Sequence, residues 1–391
     1  MNSPREIWVD YLRVVACLMV MVVHSTEPFY LGGDGSLVLS RMDGFWSALI
    51  DSMVRSCVPL FVIASSYLQF PIHYSAGDFF RRRCVRILIP FVIWSVVYAI
   101  VWGEPVKNLH DLILNFNYAA GHLWFVYMLI GVYVLMPLLS PWAERVGRKE
   151  LLAFLLLWLF TTTFPFIREA ASGGDAPLIY GPSGIPNPAK FPLWGEASWN
   201  TYGSFYYISG FIGYLLLGLY IRKFGSGLTG RKAVLTGIGC WLAGLAIAFG
   251  GFYRRILDSA AEAGGFPVGG DVKLATVWET SIGFETTGVV LMALGLILVF
   301  RQIKSGESAF YRKVILPLSK AGYGMYLIHM LILAAFSGLF RGWLGIGADG
   351  VLGIWTTPVE ILLTAFCSFI CVGTAATLVQ RIPKIGKFLM G

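Results

Sequence analysis

Long apolar runs, each ended by glycine, proline or charge, recur along the whole chain, and their lengths predict what they are. Ten can be distinguished, at about 7–29, 45–70, 87–103, 122–140, 150–167, 203–221, 233–252, 279–300, 321–340 and 351–378. A bilayer core of roughly 30 Å is crossed by about 20 apolar residues in helical form. The pattern therefore predicts an all-α, polytopic membrane protein of about ten transmembrane helices. No internal repeat and no fused soluble domain interrupts it, so residues 1–391 are expected to form a single membrane domain.

Composition agrees with this class. The chain is 57% hydrophobic and 13% charged, with a mean hydropathy of +0.70, whereas a soluble domain carries about 25% charged residues. The first run is too long and too charged for a cleavable secretory signal. A net charge of +8 is explained by orientation in a membrane rather than by nucleic acid. Segments on the N-terminal side of the spans carry 20 of the lysines and arginines, those on the other side 8, and Arg13 and Arg55 lie within spans. By the positive-inside rule both termini are expected in the cytoplasm. Two expected outer loops are too long for simple turns. One, about 168–202, contains five prolines with Trp194 and Trp199; the other, about 253–275, is rich in glycine and alanine. The first could cover an outer cavity and stack on sugar rings, or merely pack on helix ends. The six cysteines show no pairing or ligand spacing, so neither a disulfide nor a metal site is expected.

Polar residues inside the spans carry the chemistry. A charged side chain at the centre of a membrane helix costs about 2.5–3.5 kcal/mol on insertion scales, so it is expected to face protein or water and to serve a function. The first run, from Ile7 to Phe29, contains Asp10, Arg13 and His24. Arg13 and His24 are eleven positions apart, about three helical turns, which puts them on one face roughly 16 Å apart along the axis. One stripe thus presents a cation at one level and a titratable base at another. An ion pair with Asp10 would also account for Arg13, and a lone membrane histidine can simply bond a neighbouring helix. Arg55 needs a partner, with Asp51 and Glu285 as the candidates, and Glu285 could alternatively orient His24. The arginines at 81–86 suit either lipid phosphates or a nucleotide phosphate cradle.

Several segments together resemble the acyltransferase family 3 membrane proteins. These are WVDYLRVVACLMVMVVH with Arg13 and His24, RSCVPLFVIASSY from Arg55 to Tyr67, RRRCVRILIP from Arg81 to Pro90, His122-Leu123-Trp124-Phe125, Phe205 to Gly218, and YGMYLIH from Tyr323 to His329. The second departs from the family's usual Ser-Gly by having Ser65-Ser66, which bears on how closely that helix approaches its neighbour.

The resemblance implies transfer of an acyl group, commonly acetyl, from cytoplasmic acyl-coenzyme A to a hydroxyl of a cell-surface polysaccharide or lipid-linked glycan. It implies a multi-pass protein of a bacterial inner (plasma) membrane, working beside polysaccharide synthesis or export machinery. No tightly bound cofactor is expected, acetyl-CoA being a substrate. In this picture His24 is the general base, because histidine titrates in the range needed to take a hydroxyl proton. An acyl-histidine intermediate is also chemically open. Arg13, steadied by Asp10, would hold donor phosphates together with Arg82, Arg83 and Arg86. Ser65, Arg55, Glu285, Tyr323 and His329 are supporting candidates, His122 could contact the acceptor, and Trp124 is expected as an interfacial anchor or acceptor contact. A secondary transporter with an intramembrane Arg/His site is the alternative, although no inverted repeat is visible.

Overall fold

The computed structural model describes residues 5–30, 37–102, 104–112, 120–171, 194–195, 202–269, 281–304, 306, 308–383 and 385–391. Its helices are α1 (Ile7–Thr26), α2 (Arg41–Val54), α3 (Cys57–Gln69), α4 (Ala76–Arg83), α5 (Ile89–Val101), α6 (Pro105–Asp111), α7 (Trp124–Arg145), α8 (Arg148–Thr161), α9 (Phe164–Ala171), α10 (Ile212–Phe224), α11 (Gly230–Glu262), α12 (Thr287–Phe300), α13 (Leu316–Leu344), α14 (Thr356–Gln380) and α15 (Ile385–Met390). Among the described residues, eight helical stretches are long and apolar enough to cross a membrane. The other two expected spans correspond to the shorter helices α10 and α12.

Helix α1 is the hub, packing on α2, α3, α13 and α14. It is buried on nearly every side, with Leu12 and Ala16 at 0% exposure. The second expected span is broken in two at Arg55 and Ser56. Pro59 has no N–H for the Arg55 carbonyl, so the hydrogen-bond ladder lapses there. Arg55, at the break, keeps helical backbone, and its side chain is wholly buried beside Asp51 one turn back.

Residues 253–262, expected as loop, instead continue α11. Phe252, Ile256 and Ala260 recur at four-residue spacing and are buried, with Ile256 packed on Gly44. The helix gives way only before Gly264 and Gly265, whose φ values of 79° and 137° favour glycine. Beyond them Val268–Gly269 pairs antiparallel with Leu37–Val38. Most of the proline-rich stretch of the other expected loop, Trp199 included, lies outside the described residues. Trp194 packs its ring on Phe160, Phe164 and Phe205 at the helix ends. Away from the centre, α11 and α12 meet through glycine: Gly237 faces Gly295 and Gly244 faces Gly288, with no space for a Cβ at either contact. Small residues allow this backbone-to-backbone approach in membrane helices.

Candidate active site

His24 sits in the last turn of α1, after which the chain tightens into a 3-10 turn, Glu27–Phe29, with Pro28 near its start. That turn brings Glu27 Oε2 to 2.7 Å from His24 Nδ1. A carboxylate can only accept, so Nδ1 carries the hydrogen at this contact, and in the neutral imidazole Nε2 is the nitrogen that can take a proton. Both side chains remain partly accessible, at 16% and 21%.

Arg55 is wholly buried. Its Nε donates to the Ile282 carbonyl at 3.0 Å, its Nη1 lies 3.3 Å from Asp51 Oδ1, and its guanidinium carbon sits 4.8 Å from the centre of the Phe284 ring. Thr26 donates to the same Asp51 oxygen at 3.2 Å. A buried charge is tolerated when it is paired and hydrogen-bonded in this way. His24 also has two histidine neighbours. Ring centres lie 5.1 Å away for His329 and 6.3 Å for His122, and 5.0 Å separates those two. His329 Nδ1 is 2.5 Å from the Tyr326 carbonyl oxygen, which sets its hydrogen on Nδ1. The Tyr326 hydroxyl donates to the His122 carbonyl at 2.7 Å, tying α13 to the start of α7.

A cavity of about 730 Å³ joins this cluster to a basic mouth. His24, Glu27, Arg55, His122 and Trp124 line one end of it, Val20, Val58, Phe61 and Leu129 its apolar middle, and Arg13, Arg83, Arg86, Lys320 and Lys387 the other end. Arg13 and His24 therefore open into the same space from one helix. A cationic mouth, an apolar corridor and a carboxylate-held histidine suit a ligand whose anionic head and reactive end are far apart.

The profile of the acyltransferase domain family matches residues 6–377. The chain belongs to this family. Among curated proteins and among solved structures, no match to the chain is found. In this acyltransferase Ser65 lines the cavity, while Ser66 turns away and donates to the Leu215 carbonyl of α10 at 2.5 Å. Gly218 lies directly against Ser66, so α10 supplies the space that a glycine at position 66 would have given. Tyr323 lines the cavity, donates to the Ile87 carbonyl at 2.8 Å and stacks on Tyr326. Trp124 is placed in the site. It stacks on Phe284 at 5.6 Å and 25° and lines the cavity.

Three expected site residues lie elsewhere. Asp10 does not pair with Arg13; it is taken by Arg5 at 2.6 and 2.7 Å, by the Tyr311 hydroxyl at 2.7 Å and by Ser319 at 2.6 Å, and it does not line the cavity. Arg82 is exposed over the Tyr74 ring at 4.9 Å, while Arg83 and Arg86 face the cavity. Glu285 accepts from the Tyr202 hydroxyl at 3.0 Å. Asp51 supplies the Arg55 ion pair, and Glu27 supplies the partner of His24. Glu27 was missed although it lies within the first apolar run, three residues from His24: it falls just past the last helical residue, Thr26, where the 3-10 turn rather than helical pitch sets its direction. Lys320 and Lys387 were counted only as charges that orient the chain.

Proposed function

We propose that this membrane acyltransferase takes acyl-coenzyme A, acetyl-CoA foremost, from the cytoplasm and transfers its acyl group to a hydroxyl of a cell-surface polysaccharide or lipid-linked glycan. The observation that carries this reading is the single cavity lined by Arg13 at its basic mouth and by the His24–Glu27 pair at its other end. The lysine and arginine bias supports a reading in which the basic mouth and both termini face the cytoplasm, where acyl-CoA is made, and in this reading the membrane is a bacterial inner membrane.

The donor's phosphates rest among Arg13, Arg83 and Arg86, whose guanidinium groups can bond phosphate oxygens in pairs. The slender arm follows the apolar corridor and brings the thioester to His24. The acceptor hydroxyl enters beside His122 and Trp124. His24 Nε2 takes the hydroxyl proton as the oxygen attacks the thioester carbonyl, and Glu27 stabilises the imidazolium through Nδ1–H. Arg55, a fixed cation on the cavity wall, stabilises the oxyanion. Collapse breaks the C–S bond, and the leaving sulfur takes the proton back from Nε2. Ester and free coenzyme A result, and the histidine is restored.

Purified protein in vesicles, given radiolabelled acetyl-CoA and a hydroxyl acceptor, tests this directly. Wild-type protein is expected to release coenzyme A and label the acceptor, and His24→Ala to bind acetyl-CoA without turnover. Wild-type protein that neither binds nor consumes acetyl-CoA would sink the proposal and favour transport.

A further inference from the structure

The stretch matched by the family ends at residue 377, and the chain continues into α15. This last helix is built into the protein. Trp94 Nε1 donates to the Leu389 carbonyl at 2.9 Å. Met390 is 2% exposed and packs on Gly324, where a Cβ would come within 2.7 Å of it. Gly391 abuts the Arg86 carbonyl and the Tyr323 ring. As a result Gln380, Lys387 and Gly391, all beyond the matched stretch, line the same cavity as Arg13 and Arg86.

The charge balance of that cavity is one-sided. Among the described residues its lining holds five cations at the mouth, Arg13, Arg83, Arg86, Lys320 and Lys387, and a sixth at the far end, Arg55, which is paired with Asp51; the one carboxylate side chain, Glu27, is engaged by His24 at that far end. Among the described residues the ion pairs found involve none of the five. Arg83 instead lies over the Phe79 and Tyr133 rings, at 5.3 and 5.2 Å. Uncompensated positive charge in a confined mouth concentrates a polyanion there. The apolar corridor behind it requires that the polyanion carry a thin, largely uncharged extension. One lipid headgroup phosphate would leave most of these cations unanswered, whereas a donor with a diphosphate and a separate phosphate can engage cations from several elements together.

We infer that Lys387, helped by Lys320, is a donor-binding residue, and that α15 forms a wall of the phosphate site from outside the family-matched stretch. The inference rests on the donor assignment made above. Lysine suits the role as a mobile point charge on a flexible stem, beside the more rigid arginine forks. Lys387 is exposed, so replacing it removes charge without opening the core.

The test uses the full chain in detergent or nanodiscs. It compares wild type, Lys387→Gln, Lys387→Arg and Lys320→Gln by Kd for acetyl-CoA, by KM and kcat, and by the salt dependence of Kd. Lys387→Gln is expected to raise Kd and KM roughly five- to tenfold, to leave kcat near wild type and to flatten the salt dependence. Lys387→Arg should restore most of the affinity, and Lys320→Gln should act in the same direction as Lys387→Gln. A Lys387→Gln protein that binds acetyl-CoA as wild type does, with an unchanged salt slope, overturns the inference and leaves the donor assignment standing. A weakened affinity that arginine does not restore overturns it too, because α15 would then matter only as packing. Wild-type protein that fails to bind acetyl-CoA removes the donor assignment, and this inference falls with it.

Discussion

Glu27 Oε2 lies 2.7 Å from His24 Nδ1, one turn farther along the same chain. The carboxylate fixes which nitrogen carries the hydrogen and lies beside the positive charge that His24 gains on taking a proton. Glu27→Gln keeps an oxygen that can accept from Nδ1–H but loses the charge. Its kcat is expected to fall roughly 10²-fold, with KM for acetyl-CoA little changed. Steady-state kinetics of the purified variant give both constants. A kcat equal to wild type would mean that the contact is idle in catalysis.

Arg55 and Asp51 are both buried at 0% exposure. Arg55→Met strands a buried carboxylate and is expected to cost about 3–5 kcal/mol of stability. Adding Asp51→Asn should recover part of that loss, because the orphan charge goes too. Denaturant unfolding in detergent micelles measures both variants. Equal stability of Arg55→Met and wild type would refute the pairing as a structural necessity.

Asp10 and Arg13 are near neighbours in sequence with different surroundings. Asp10 gathers Arg5, Tyr311 and Ser319 away from the cavity, while Arg13 lines it. Asp10→Asn is therefore expected to lower stability by about 1–3 kcal/mol and to leave the Kd for acetyl-CoA alone. Arg13→Gln should raise that Kd with little loss of stability. Binding titrations run beside thermal melts separate the two, and a raised Kd for Asp10→Asn in a fully folded sample would contradict the assignment.

Gly244 has no room for a side chain against Gly288. Gly244→Val forces α11 and α12 apart and is expected to cost about 1–3 kcal/mol as overpacking. Neither helix contributes to the cavity lining, so turnover per folded molecule should hold. The yield of monodisperse protein and its specific activity provide the check.

What the sequence made legible was the part governed by local rules. Span lengths follow from bilayer thickness, and the shared face of Arg13 and His24 follows from helical pitch. What it hid was set by partners far away in the chain. Asp10 is three residues from Arg13, but it is held by the nearby Arg5 and by the distant donors Tyr311 and Ser319, from the segment before α13 and from α13 itself. The stack of Trp124 on Phe284 could not be read because the two are remote in sequence. The overlong α11 was misjudged because its alanine- and glycine-rich end looks like loop until the apolar spacing of Phe252, Ile256 and Ala260 meets a surface to bury against. Lys387 could be placed at the cavity only once α15 was seen to fold back on Trp94.

Because Arg13 and His24 belong to one unbroken helix, their separation is a length set by covalent backbone and not by how neighbouring helices settle. Thermal breathing of the bundle can widen the corridor without altering its reach, so α1 works as a ruler against which any tethered thioester is measured. A single residue inserted between the two would turn the imidazole by about 100° around the helix and leave it facing a different neighbour, with the anchor still in place.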